Sequence, residues 1–277
     1  MPTSEIRMSA RRRPLTPQRV LGVVLLVLIL GFLLVPIVVV IPMSLGSERF
    51  LQFPPKNLTL KWYGEFFGDA EWRAAALYSL TVASLTTVAS VVIGTLAAVS
   101  LTRGTLAGKK ILTAVTLAPL IVPHIVLGVA LYLSFTPLGL SGNVPGLVLS
   151  HTALAVPFVV LTVSAALYRI DRSLEMAAMN LGASRFGAFR LVTLPLVQPA
   201  VAVGAVFAFL TSFDEAIVSF FMSGVSNKTL PRKLFENIDF DISPLIPAVS
   251  TVLMLVSLAL MGGSTMLRRG GKREPNP

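Results

Sequence analysis

The sequence predicts an all-α membrane protein: six transmembrane helices, with a short helix pair outside the membrane between spans four and five. Three observations carry this expectation. The 277 residues are 54% hydrophobic and only 13% charged, too apolar for a soluble domain of this length. Residues 20–47, 74–102, 111–168, 191–213 and 242–267 contain no Asp, Glu, Lys or Arg, and a helix needs roughly 20 apolar residues to cross a hydrocarbon core of about 30 Å. The cations, finally, gather on alternate connections between those runs.

A basic segment, residues 1–19, comes first. Its "ARRRPL" run does not predict a removed signal, because the apolar stretch behind it is too long and no small-x-small cleavage site follows. Span one covers 20–44, with Pro36 and Pro42 shaping its end. Residues 46–73 carry Trp62, Tyr63, Phe66 and Phe67 and read as an interfacial amphipathic element. Span two covers 75–101. The following "GTLAGKK" looks like a phosphate loop but has three residues between its glycines instead of four, and no Ser or Thr after the lysine. It is therefore a turn, and the chain carries no nucleotide site of its own.

Span three, 111–135, contains Pro119 and Pro123, which predict a kink beside His124. His124 itself reads as a satisfied interior residue, with a role in a pathway as the alternative. "TPLGLSGNVPG", Thr136 to Gly146, is turn chemistry. Spans four, five and six cover 147–168, 195–222 and 243–266. The membrane domain is 20–267, with a cytoplasmic loop at 169–195 and a cytoplasmic tail at 268–277.

With the N-terminus cytoplasmic, the inside segments hold 16 Lys and Arg residues and the outside segments 7. Lys and Arg are retained inside, so both termini are expected in the cytoplasm. The net charge of +10 is then a topology signal and not a nucleic-acid footprint. Cysteine is absent and His124 and His151 are the only histidines, so thiolate chemistry is excluded and a histidine zinc site would need carboxylate help. No metal, cofactor or catalytic residue is predicted.

The stretch "EMAAMNLGASRFGAFRLVTLPL", Glu175 to Leu196, stands out between two apolar runs. Asp171 or Ser173 can cap a helix start, and Leu174 to Leu181 is a good helical run. Gly182 sits where a left-handed residue closes a helix. Ser184 can cap a second helix, and Pro195 marks the entry to span five. Small residues, Ala177, Ala178, Ala183 and Ala188, allow another surface to approach closely.

This stretch resembles the cytoplasmic coupling motif of inner-membrane permease subunits of ABC importers: Glu-Ala-Ala, three residues, Gly, nine residues, Ile, one residue, Leu-Pro. Here Met176, Ala177 and Ala178, then Gly182, Val192, Leu194 and Pro195 keep the spacing. Met176 replaces the motif Glu and Val192 the Ile. Glu175, one residue earlier, partly substitutes, although it points about 100° around the helix. The resemblance implies the type I ABC importer permease fold. It also implies a transport subunit, not an enzyme, that forms half of a translocation pathway in the bacterial inner membrane. The implied partners are two copies of an ATP-hydrolysing subunit, a second permease subunit and a periplasmic or extracellular binding protein. Glu175, Met176, Ala177, Ala178, Gly182, Ala183, Arg185, Leu194 and Pro195 would form the ATPase-coupling region.

"FAFLTSFDEAIVSFFMSG", Phe207 to Gly224, holds Asp214 and Glu215, the only acids in a predicted span. Such groups are costly in a membrane and mark pathways or structural pairs. On an unbroken helix Phe207, Thr211, Ser212, Asp214, Glu215 and Ser219 share one arc, which should face the pathway or the protein interior. Phe209, Phe213 and Phe220 lie opposite, facing lipid or packed helices. The Ser-Phe-Asp-acid run and "LPRKLFENIDFDISPLIPAVSTV" after it resemble the spermidine/putrescine branch of these permeases. That resemblance implies a polyamine or another small cationic or amino-acid-like solute as cargo, although related permeases carry opines, amino-acid-like compounds, thiamine or phosphonates. The rival class is a stand-alone secondary transporter or channel, which would need ion-coupling residues, inverted repeats or broken helices.

Overall fold

A computed structural model describes residues 17–224, 227–238 and 243–270. Most of the basic segment 1–19 and most of the tail 268–277 lie outside these residues. Twelve α-helices and no named strand are found among them. Helix α1 (Pro17–Ser44) keeps both its prolines in helical conformation, and its most apolar stretch has no buried residue. It reaches the rest of the protein mainly through α12 (Leu245–Gly270). Such a helix is stable only where lipid or another subunit covers it.

Helix α2 (Lys61–Gly68) is amphipathic, as expected for the interfacial element. Trp62 and Phe66 are buried, and the Trp62 indole N–H donates to the Gly46 carbonyl at 2.6 Å.

The core is a three-helix packing of α3 (Ala70–Arg103), α6 (Val144–Leu167) and α9 (Leu194–Phe213). Ala98, Ala155, Val159, Val163, Leu167, Val197 and Ala208 form its buried centre. Glycines set the spacing. A Cβ on Gly94 of α3 would stand 2.7 Å from Val159 Cβ, and one on Gly204 of α9 would stand 3.2 Å from Val159 Cα. Helix α6 is thus gripped on two sides at Val159. Membrane helices associate through such close contacts, since lipid supplies no hydrophobic drive between them.

Two of the expected spans are not continuous. The third is α4 (Lys109–Leu117) with a short 3-10 turn, then α5 (His124–Phe135), and the two parts meet at 106°. This is far more than a kink. Pro119 and Pro123 remove backbone donors at the bend, and Gly128 lets α5 press onto Phe221, where a Cβ would come within 2.7 Å of the ring. Among the described residues there are therefore five helices long and apolar enough to cross a membrane, or six counting the bent pair as one.

The fifth span, expected at 195–222, ends at Phe213 and resumes as α10 (Ile217–Met222). Glu215 causes the interruption. Its Oε1 accepts the backbone N–H groups of Ile217 and Val218, both at 2.9 Å, so the side chain starts a new helix. Beyond it, α11 (Leu230–Ile238) docks on α3 through the Leu230 N–H to Ser79 Oγ bond at 2.7 Å.

Candidate functional site

The loop between the fourth and fifth spans folds into α7 (Arg172–Asn180) and α8 (Arg185–Ala188). Asp171 caps α7 by accepting the Ser173 N–H at 2.9 Å, and that bond holds its carboxyl below the usual range. Gly182 has φ +95°. The Gly182 N–H donates to Met179 O and the Ala183 N–H to Ala178 O, both at 3.0 Å. These two bonds are a Schellman closure, which requires a left-handed residue at Gly182. Ser184 Oγ accepts the Gly187 N–H at 3.1 Å and starts α8.

Pro195 is not a break. A π-helical turn, Phe189–Thr193, leads straight from α8 into α9, so Arg185–Phe213 is one rod. The wider turn ahead of Pro195 accommodates the N–H that proline lacks. Leu194 and Pro195 lie within this rod and Arg185 opens it.

The two neighbouring motif positions face opposite ways. Met176 is 53% exposed. Glu175 turns inward, its Oε1 3.2 Å from Arg103 Nε and 3.0 Å from the donating Thr193 hydroxyl. With Ala177 exposed and Ala178 and Ala183 half-buried, the outer side of the loop shows Leu174, Met176, Met179, Leu181 and Phe186 as an open apolar surface.

The second site lies where the two helix breaks meet. A cavity of ≈ 590 Å³ is lined by Pro119, Leu120, His124, Leu154, Phe158, Leu210, Thr211, Asp214, Glu215, Ala216 and Ile217. Glu215 is buried, and its Oε2 lies 3.0 Å from His124 Nδ1. The carboxylate is thus used on both oxygens: one holds the start of α10, the other holds the start of α5. Asp214 caps the end of α9 and is exposed. It has no ion pair or side-chain hydrogen bond among the described residues, and it also lines a second cavity of ≈ 470 Å³ with Pro231, Phe235 and Ser257. Phe207 stacks on Phe158 at 6.1 Å, behind the first cavity wall.

Ser212 and Ser219 do not line this cavity: the helix break parts them from Asp214, and they take the interior side that was the other expectation for the arc. Both are buried and turned onto His151, the Ser212 hydroxyl 2.8 Å from Nδ1 and the Ser219 hydroxyl 3.1 Å from Nε2. His151, fully buried on α6, therefore ties α9 and α10 together across the break. Sequence reasoning gave His151 no role. The signal available was its place in Ser150-His151-Thr152, a polar triplet inside an apolar span. His124 was expected to be satisfied in the interior; it is satisfied by Glu215, but its side chain is 45% exposed on the cavity wall.

A larger cavity, ≈ 820 Å³, lies between α3 and α11. Its charges neutralise one another: Glu71 pairs with Lys233 at 2.9 Å and Lys228 with Glu236 at 2.6 Å. A carboxylate uncompensated among the described residues, Asp214, lies instead at the breaks, on the walls of both smaller cavities.

Residues 90–267 match the family described as the binding-protein-dependent transport system inner membrane component. The chain belongs to this family, a class of multi-pass membrane transport subunits, not enzymes. Among its relatives is the spermidine/putrescine transport system permease protein PotC of Escherichia coli (strain K12), 34% identical over 241 residues, 87% of this chain and 91% of that protein. The putrescine transport system permease protein PotI of the same organism is 31% identical over 239 residues, 84% of this chain and 85% of that protein. The fold is shared with a bacterial ABC transporter involved in import of the acidic polysaccharide alginate, at a TM-score of 0.71 and 16% identity, covering 92% of this chain and 99% of that one.

Proposed function

We propose that this permease forms half of the pathway of an ATP-driven polyamine importer, and that Asp214 is the carboxylate a passing ammonium group meets. The observation that carries this reading is the division of labour at the break. Glu215 is occupied by two backbone N–H groups and His124, whereas Asp214 is free on the wall of two cavities. An uncompensated carboxylate in a partly desolvated recess attracts cations strongly. The names of the spermidine/putrescine and putrescine permease relatives agree with a cationic cargo.

The same reading places α7 and both termini in the cytoplasm. Each permease inserts α7 into a groove on one of two ATP-binding subunits, pairs with a second permease in the bilayer, and receives substrate from a periplasmic binding protein. The open apolar side of α7 suits such a docking surface. Broken helices are also used by stand-alone secondary transporters, but membership of a binding-protein-dependent family argues for the importer.

The test compares Asp214→Asn and Glu215→Gln in the assembled importer, measuring complex yield and putrescine uptake side by side. Asp214→Asn should assemble normally and lose uptake. Full uptake by Asp214→Asn would refute the pathway role, and loss of the complex in that variant would make Asp214 structural.

A further inference from the structure

We propose that Arg103 is the positioning residue that locks the coupling helix α7 to all three core spans. The inference rests on the reading of α7 as the ATPase-docking helix. Cation counting treats Arg103 as one more charge holding topology, yet its side chain is only 16% exposed. It is the last residue of α3. Its Nη2 donates to the Leu167 carbonyl at 3.1 Å and the Ile170 carbonyl at 2.8 Å, where α6 ends. Its Nε is 3.2 Å from Glu175 Oε1 on α7, and that same oxygen accepts the Thr193 hydroxyl at 3.0 Å where the rod becomes α9. Arg172, at the start of α7, closes the loop by donating Nη2 to the Arg103 carbonyl at 2.9 Å.

One guanidinium thus touches the ends of α3 and α6 and, through Glu175, α7 and α9. The chemistry explains the residue type. Arg suits the place because its Nη2 serves two carbonyls while its delocalised charge, reaching Nε, pairs with the carboxylate; Lys lacks that planar arrangement. With Glu175 at 21% exposure, the pair is shielded enough that removing either partner strands the other charge. A helix held this way moves with the spans as one body instead of rocking on its two connections.

The experiment uses the assembled importer with its ATP-binding subunits. Spin labels on Asn180→Cys at the end of α7 and Leu149→Cys on α6 report the distance between coupling helix and core; the chain has no cysteine of its own. With Arg103 intact, the distribution should be narrow and unchanged by ATP with vanadate. In Arg103→Gln and in Glu175→Gln it should broaden about twofold and shift on ATP binding, as one rigid body becomes two. The double variant should be less than additive, because each single variant already breaks the Arg103–Glu175 contact. Arg103→Lys should fall between, and it decides the matter if Arg103→Gln fails to assemble. An unchanged distribution in the assembled variants overturns the proposal, as does an intact protein whose distance already shifts. Cross-linking of Met176→Cys to the ATP-binding subunit is scored separately. Its absence in the Arg103 protein defeats the docking reading and the proposal with it; its presence beside unchanged distances defeats the proposal alone.

Discussion

His151 should be worth about 3 kcal/mol to the protein, and most of its effect should fall on the broken fifth span. The residue is fully buried and joins Ser212 of α9 to Ser219 of α10. Replacing it by Ala removes two interhelical hydrogen bonds, worth about 0.6 kcal/mol each between membrane helices, or about 1.2 together. It also leaves a void of roughly 65 Å³, which at about 24 cal/mol per Å³ adds about 1.6 kcal/mol. At about 2–4 °C per kcal/mol for a chain of this size, thermal unfolding of the detergent-solubilised permease pair should fall by about 6–12 °C. His151→Gln fills most of the space and keeps a donor and an acceptor, so about a third of that loss is expected. Because the staple spans the break carrying Asp214, uptake should fall in both variants. A shift of about 2 °C or less for His151→Ala, with normal uptake, would refute the reasoning.

Three further predictions follow from local geometry. At Gly182 a Cβ meets nothing within 4 Å, so Gly182→Val should act through the backbone alone. It should cost roughly 1–2 kcal/mol at φ +95° and abolish uptake in vesicles while membrane insertion persists, with Gly182→Asn milder. Gly94→Ala should cost about 1–3 kcal/mol, read as a lower unfolding temperature, because its Cβ would press on Val159, which Gly204 holds from the other side. Glu236 is pushed up by burial, but hydrogen bonds from Lys228 and Arg232 outweigh this and hold its pKa below the ordinary 4.5. Its stabilisation is therefore complete above pH 4.5 and is lost as pH falls through the lowered value. Glu236→Gln should flatten that acid limb in a melt series, and an unchanged limb would remove Glu236 as its source.

The spans were legible because a charge-free run is a property of the chain alone, and the α7–α8 pair because its closures are local. Asp171, Gly182 and Ser184 each act within three residues of themselves. The breaks were not legible to the same degree. Pro119 and Pro123 signal a bend, but its 106° depends on Gly128 seating against Phe221, which is far away in sequence. The helical projection that grouped Ser212 and Ser219 with Asp214 assumed an unbroken helix. Glu215 folds back on its own backbone and ends that assumption. His151 and Arg103 find their partners about 60 to 70 residues away, beyond the reach of any periodicity.

The continuous rod from Arg185 to Phe213 behaves as a strut fixed to the core at two levels. Gly204 seats it on Val159 and Thr162 of α6, and nearer the basic end Thr193 holds the Glu175 carboxylate that pairs with Arg103. At 1.5 Å per residue the length from Arg185 to Asp214 is about 43 Å. Fixed at both levels, the rod does not pivot against α6, so a tilt of about 10° is a tilt of the whole bundle and carries one end past the other by roughly 7.5 Å. A stroke delivered at the basic end therefore reaches Asp214 in the same movement, with no slack between them.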